Sequence, residues 1–163
     1  MKHILIILSL FLFSITYISC SSSSDSGSST TTDDDTTNTS SGSGVFVTVG
    51  SSGNIVRSTD NGASFDNVTS PTANNLSGVV FGNNTFVAVG DNGTIVRSTD
   101  NGVSFENVTS PTTNNLAGVV FGNNTFVATG LSGNILRSTD NGTTWDNAST
   151  PTGSDLYTVS FSE

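Results

Sequence analysis

Three stretches hold most of the side chains that could do chemistry: RSTDNGASFDNV from Arg57, RSTDNGVSFENV from Arg97 and RSTDNGTTWDNA from Arg137. Each sets a guanidinium three residues ahead of a carboxylate, Asp60, Asp100 or Asp140, among hydroxyls and an Asn-Gly pair. Such a set could work in two ways. Arginines that grip an anion beside carboxylates that move protons are parts of a hydrolytic centre. The same residues also make a hydrogen-bonded turn, because Asp and Ser bond nearby backbone groups and glycine permits positive φ.

Repetition decides between them. Acid–base catalysis needs groups in different environments, so that their pKa values separate. Near-identical copies offer one environment three times. Nor is there much else to recruit. His3 is the only histidine and lies in the leader, Cys20 is the only cysteine, and beyond Cys20 the chain has one tyrosine, Tyr157, and two glutamates, Glu106 and Glu163. No Ser/His or Cys/His nucleophile can be assembled, so the chain is read as a non-enzyme. The run Asp33-Asp34-Asp35 reads as solubilising charge rather than a cation site, and neither metal nor cofactor is expected.

The elements that position these residues follow from a forty-residue period. Phe46, Phe86 and Phe126 recur at that spacing, as do the three arginines, and residues 45–84 differ from 85–124 at nine positions. Apolar runs of strand length occupy 76–82 and 116–122, and TFVAVG at 85–90 follows the turn Gly82-Asn83-Asn84. TIVRST at 94–99 follows Asp91-Asn92-Gly93, and VSFENVTS at 103–110 follows Asp100-Asn101-Gly102. Pro and paired Asn mark the connections between copies, and no segment has helical periodicity. The spacing predicts an all-β fold, a β-propeller of four-stranded antiparallel blades apolar on both faces.

The repeated turn resembles the Asp-box, or BNR repeat, of sialidase-type propellers, whose pattern is Ser/Thr-x-Asp-x-Gly-x-Thr-Trp/Phe. The matching residues are Ser58, Asp60, Gly62 and Phe65; Ser98, Asp100, Gly102 and Phe105; and Ser138, Asp140, Gly142 and Trp145. The resemblance implies a structural turn between the third and fourth strands of each blade. FVAVGDNGTIVRSTDNGVSFENV is also similar to repeats of the photosystem II assembly and stability factor family, which implies a propeller that chaperones membrane complexes.

The repeat phase sets the blade count. Val45 falls at the second strand of a blade, and LYTVSFSE at 156–163 aligns with the first strand, LAGVVFGN. Sharing of strands between the two ends would close three whole blades. Closed propellers typically have about four to eight, so a homodimer of six blades is the expected alternative to a three-blade monomer.

Ahead of the repeats, MKHILIILSLFLFSITYISC has a basic start and an apolar run the length of a signal-peptide core. Ile18-Ser19-Cys20 resembles the lipobox of bacterial lipoproteins, which implies lipid attachment at Cys20; an ordinary secretory signal is the alternative. Residues 1–19 read as leader, 20–44 as a Ser/Thr/Asp-rich tether, and 45–163 as the repeat domain. The formal charge of −9 argues against nucleic acid and against electrostatic docking on anionic lipid. The membrane is then met through the lipid, in the bacterial cell envelope. Binding or scaffolding is the expected role, with a glycan or protein ligand; the alternatives are a glycan-binding lectin or sialidase-related glycosidase, and an assembly factor for a membrane protein complex. Candidate contacts are Asn74, Asn75, Asp91, Asn92, Asn114, Asn115 and Asp155 in the loops of one face, and Arg57, Arg97 and Arg137 for an anion.

Overall fold

A computed structural model describes residues 44–163. The leader 1–19, Cys20, the aspartates at 33–35 and the tether up to residue 43 lie outside the described residues. The described part is all-β and forms three antiparallel sheets. The first holds β1 (Phe46–Val49), β2 (Ile55–Ser58) and β3 (Asp66–Val68). The second holds β4 (Leu76–Gly82), β5 (Thr85–Gly90), β6 (Ile95–Ser98) and β7 (Glu106–Val108). The third holds β8 (Leu116–Gly122), β9 (Thr125–Gly130), β10 (Ile135–Ser138) and β11 (Asp146–Asn147). Within each sheet the strands lie in chain order, so every connection is a hairpin.

Local sequence explains the hairpins. Asn83 and Asn84 both adopt positive φ, 47° and 57°, as do Asn123 and Asn124. That pair of left-handed residues gives the tight connection whose twist matches flanking strands. After β1, β5 and β9 the chain makes a short 3-10 turn, at Ser51–Gly53, Asp91–Gly93 and Leu131–Gly133. The fourth strands are shorter than the run 103–110 suggests, because Val103-Ser104 and their equivalents belong to the turn that precedes each of them.

Packing between sheets explains why the strands are apolar on both faces. β5 is buried along its whole length, since one face meets the first sheet and the other meets the third. Ile55, Leu76, Phe86, Ala88, Val96 and Phe105 form one core cluster. Val87, Val89, Ile95, Leu116, Phe126, Ala128, Leu136 and Trp145 form the other. Alternate residues of β5 and β6 therefore serve different clusters, the period-two rule applied to both sides of one sheet.

The closure expected within one chain is not formed. β1 pairs only with β2 among the described residues, and the segment 156–163 pairs with no strand. Backbone bonds hold that segment elsewhere: Leu156 N donates to Gly130 O at 3.0 Å, as Leu76 N donates to Gly50 O at 3.0 Å. It therefore lies beside the third sheet as β4 lies beside the first.

Close packing at the first strand makes glycine necessary at one repeated position. A Cβ at Gly90 would overlap the carbonyl oxygen of Asn75. Gly90→Ala should therefore destabilise the fold by ~1–3 kcal/mol, read as a lower denaturation midpoint. Gly153→Ala, where an added Cβ meets nothing within 4 Å, should leave that midpoint in place.

Candidate functional site

Each box, the repeated turn that begins at Ser58, Ser98 or Ser138, is a closed set of hydrogen bonds. In the second copy Ser98 Oγ donates to Asp100 Oδ1 at 2.7 Å and accepts from Gly102 N at 2.9 Å. Asp100 Oδ1 also accepts from Ser104 N at 3.0 Å, and Oδ2 from Ser104 Oγ at 2.6 Å. The third copy repeats the pattern with Ser138, Asp140, Gly142 and Thr144, and the first with Ser58, Asp60, Gly62 and Ser64. Two consecutive positive φ values make the turn: Asn101 at 58° with Gly102 at 76°, and likewise at 61–62 and 141–142. Asparagine and glycine are the residues that accept this conformation at least cost.

These donors keep the carboxylates ionised. The Ser104 hydroxyl, then its backbone N–H, then the Ser98 hydroxyl lower Asp100 to about 2. The Thr144 hydroxyl and N–H lead in lowering Asp140 to about 2, and the Ser58 hydroxyl leads in depressing Asp60 further still. A carboxylate held that low is a poor general acid or base near neutral pH.

Two of the arginines connect one blade to the next. Arg57 Nε donates to the carbonyl of Asn101 at 2.6 Å, and Arg97 Nε to that of Asn141 at 2.8 Å. Arg97 Nη1 also meets Glu106 Oε1 at 2.9 Å. Arg137 is exposed and has no such bond among the described residues. The box glycines sit at the same junction: a Cβ on Gly102 would lie 2.8 Å from Val47 Cγ2, and one on Gly142 would lie 3.0 Å from Val87 Cγ2. The box aromatics follow. Phe105 joins the cluster that contains Ile55, and Trp145 the cluster that contains Val87, whereas Phe65 is exposed.

The loop residues of the opposite end are also engaged. Asn75 Oδ1 accepts from Ser52 N at 2.9 Å, Asn115 Oδ1 from Asn92 N at 2.9 Å, and Asp155 Oδ1 from Ser132 N at 2.9 Å. Asn75 Nδ2 reaches Asp91 Oδ2 at 2.8 Å, and Asn74 Nδ2 reaches Thr94 Oγ1 at 2.8 Å. Asn114 is exposed, and its backbone N–H donates to Thr112 Oγ1 at 3.1 Å.

Sequence reading did not single out the groove that the blades create. A cavity of about 470 Å³ lies between the second and third blades. Arg97, Glu106, Asn107 and Thr109 line one side, and Thr144 and Trp145 the other. The carboxylates of the boxes do not converge there. The only hint in the sequence is that Glu106 and Thr109 flank a strand edge one and four residues beyond a box.

No protein-family model and no curated protein matches the chain. Solved structures do share its fold. YCF48 bound to a D1 peptide superposes with a TM-score of 0.59 at 19% identity, covering 68% of this chain and 37% of that one. YCF48 from Cyanidioschyzon merolae gives 0.51 at 22% identity, covering 62% and 34%. An ancestral GH74 enzyme gives 0.50 at 23% identity, covering 67% and 18%. The likeness is one of β-propeller fold, and the chain spans about a third or less of each of these proteins.

If the box is a structural staple, Asp100→Ala should lower the melting temperature by about 4–8 °C; an unchanged melt would remove that role. The depressed carboxylates also set an acid limit. Their contribution is complete above the ordinary carboxylate pKa near 3.8 and is lost as pH falls toward about 2. Acid unfolding of Ser104→Ala, which removes the leading donor to Asp100, should begin at higher pH than that of the parent.

Proposed function

We propose that the chain is an exported, lipid-anchored binding or scaffolding module whose blades hold a protein ligand without turning it over. The state of the charged groups carries this reading. Each box carboxylate is satisfied by its own turn, and the Nε of Arg57 and of Arg97 is committed to a backbone carbonyl. Carboxylates held ionised by the donors of their own turns are poorly suited to pass protons to a substrate near neutral pH.

The groove beside β7 supports a peptide better than a sugar. Trp145 is buried, and its Nε1–H donates to the Gly142 carbonyl at 3.2 Å, so its ring face is not a stacking platform. β7 is the outermost strand of its sheet, and an extended segment can add to such an edge with side chains in flanking pockets. Asn107, Thr109 and Glu106 would supply polar contacts there. A protein of the same fold, YCF48, has been solved with a D1 peptide, which supports a protein ligand. A role in assembling a membrane complex is consistent with a peptide-holding blade array anchored through Cys20.

Two measurements test this. The full chain, immobilised, should select members of a random peptide library, and Thr109→Lys should weaken that binding about tenfold with an unchanged melt. Binding confined to a glycan array, or hydrolysis of a sialoside, would overturn the reading in favour of a lectin or glycosidase. Separately, Cys20→Ala should abolish palmitate labelling and partition into the detergent phase; retention of both would sink the lipid anchor.

A further inference from the structure

Among the described residues, the array lacks a set of contacts at one end and holds the matching groups, unpaired, at the other. On the first blade Phe46 is 51% exposed and Phe65 46%, whereas Phe86 is 6% and Phe126 0% exposed. The outer edge of β1 is unpaired among the described residues. An added Cβ at Gly50 or Gly62 meets nothing within 4 Å, while Gly90 and Gly130 abut the carbonyls of Asn75 and Asn115.

The segment 156–163 and Arg137 hold the complementary groups. Ser132 N donates to Asp155 Oδ1 and Leu156 N to Gly130 O, which fixes the start of the segment. Gly118 abuts Thr158, and Gly122 abuts the ring of Phe161, just as Gly82 abuts the ring of Phe121. The segment is therefore held as the first strand of a further blade. Phe161 and Tyr157 are exposed on it, at 41% and 68%.

We propose that a second copy of this chain completes the array, with segment 156–163 of each copy pairing with β1 of the other. The repeat supplies the register. Leu76 pairs with Gly90, Val79 with Ala88, and Phe81 with Phe86. Shifted by whole repeats, these become Leu156 with the partner's Gly50, Val159 with the partner's Thr48, and Phe161 with the partner's Phe46. The ring centroids of Phe81 and Phe86 are 4.6 Å apart, as are those of Phe121 and Phe126, so the two exposed phenylalanines make the third such pair. Arg137 takes the carbonyl of the partner's Asn61, as Arg57 takes Asn101 and Arg97 takes Asn141.

Two copies joined this way give six blades, within the usual range of about four to eight for closed propellers. A head-to-tail contact made twice closes under a two-fold rotation. Three copies would give nine blades, outside that range. One copy gives three, and its own segment 156–163 is not paired with its own β1.

The mass of the full chain, measured by sedimentation equilibrium in density-matched detergent, tests this. We expect twice the mass of one copy of the chain. A single-copy mass, including one in which residues 1–43 cover Phe46 and Phe65, overturns the proposal, and so does an open-ended series of larger species. Gly50→Ala separates assembly from folding. Its Cβ has open space within one copy but would strike the carbonyl of the partner's Asp155, so it should give single copies with the parent circular dichroism spectrum. Gly153→Ala should remain double. In a Cys20→Ser chain, Thr48→Cys with Val159→Cys should form disulfides that link copies under oxidation. Disulfides confined within single chains, or none, count against the exchange. Phe161→Ala should raise the dissociation constant about tenfold, and an unchanged constant would show the ring pair is not made.

Discussion

The fold depends on one hydrogen bond made between blades rather than within them. The carbonyl of Asn101 or Asn141 is turned toward the previous blade because its residue and the following glycine both sit at positive φ. That orientation places it 2.6 or 2.8 Å from an arginine Nε of the blade before. The serine–aspartate pair holds the turn in this shape, and the missing side chain at Gly102 or Gly142 lets a valine of the neighbour come close. A box is thus less a feature of its own sheet than the plug by which that sheet seats on the last. Loss of the aspartate carboxylate loosens the turn, and with it the arginine, the valine contact and the aromatic beside them.

This arrangement accounts for a chain with so few basic residues. Three arginines occupy the same strand position, and two of them bridge blades. The loop end has its own bridge, in which Asn75, Asn115 or Asp155 accepts a backbone N–H from the 3-10 turn of the preceding blade. Each blade is therefore fastened to its neighbour at both ends of the sheet, with an apolar cluster between. Residues that could have bound or transformed a ligand are used in joints, and the groove beside Glu106 is what the joints leave between blades.

The hairpins, the turns and the four-strand order were legible in the sequence because they are local. Asn-Asn, Asp-Asn-Gly and the box each act within a few residues, and period-two burial needs only one strand. The joints were not legible. Arg57 and Asn101 are 44 positions apart, one repeat and four residues, so no window over a single copy contains both partners. Repetition also conceals differences. Phe65, Phe105 and Trp145 occupy equal positions, yet the first is exposed and the other two are buried, because what covers each lies in the copy before. The segment 156–163 was recognisable as a first strand, but which sheet it lies against was set by Leu156 and Asp155, whose partners are in the third blade.

The sameness of the joints bears on how such a chain can change over generations. Residues 45–84 and 85–124 are nearly interchangeable, and both sides of the middle blade already fit a copy of itself. Recombination that adds or drops one forty-residue unit in frame would create no new kind of contact and strand no buried residue inside the array. Blade number can thus drift by whole units while every joint keeps its chemistry. Point substitution at a box is far more constrained, because one altered turn spoils a fit that its neighbour also requires.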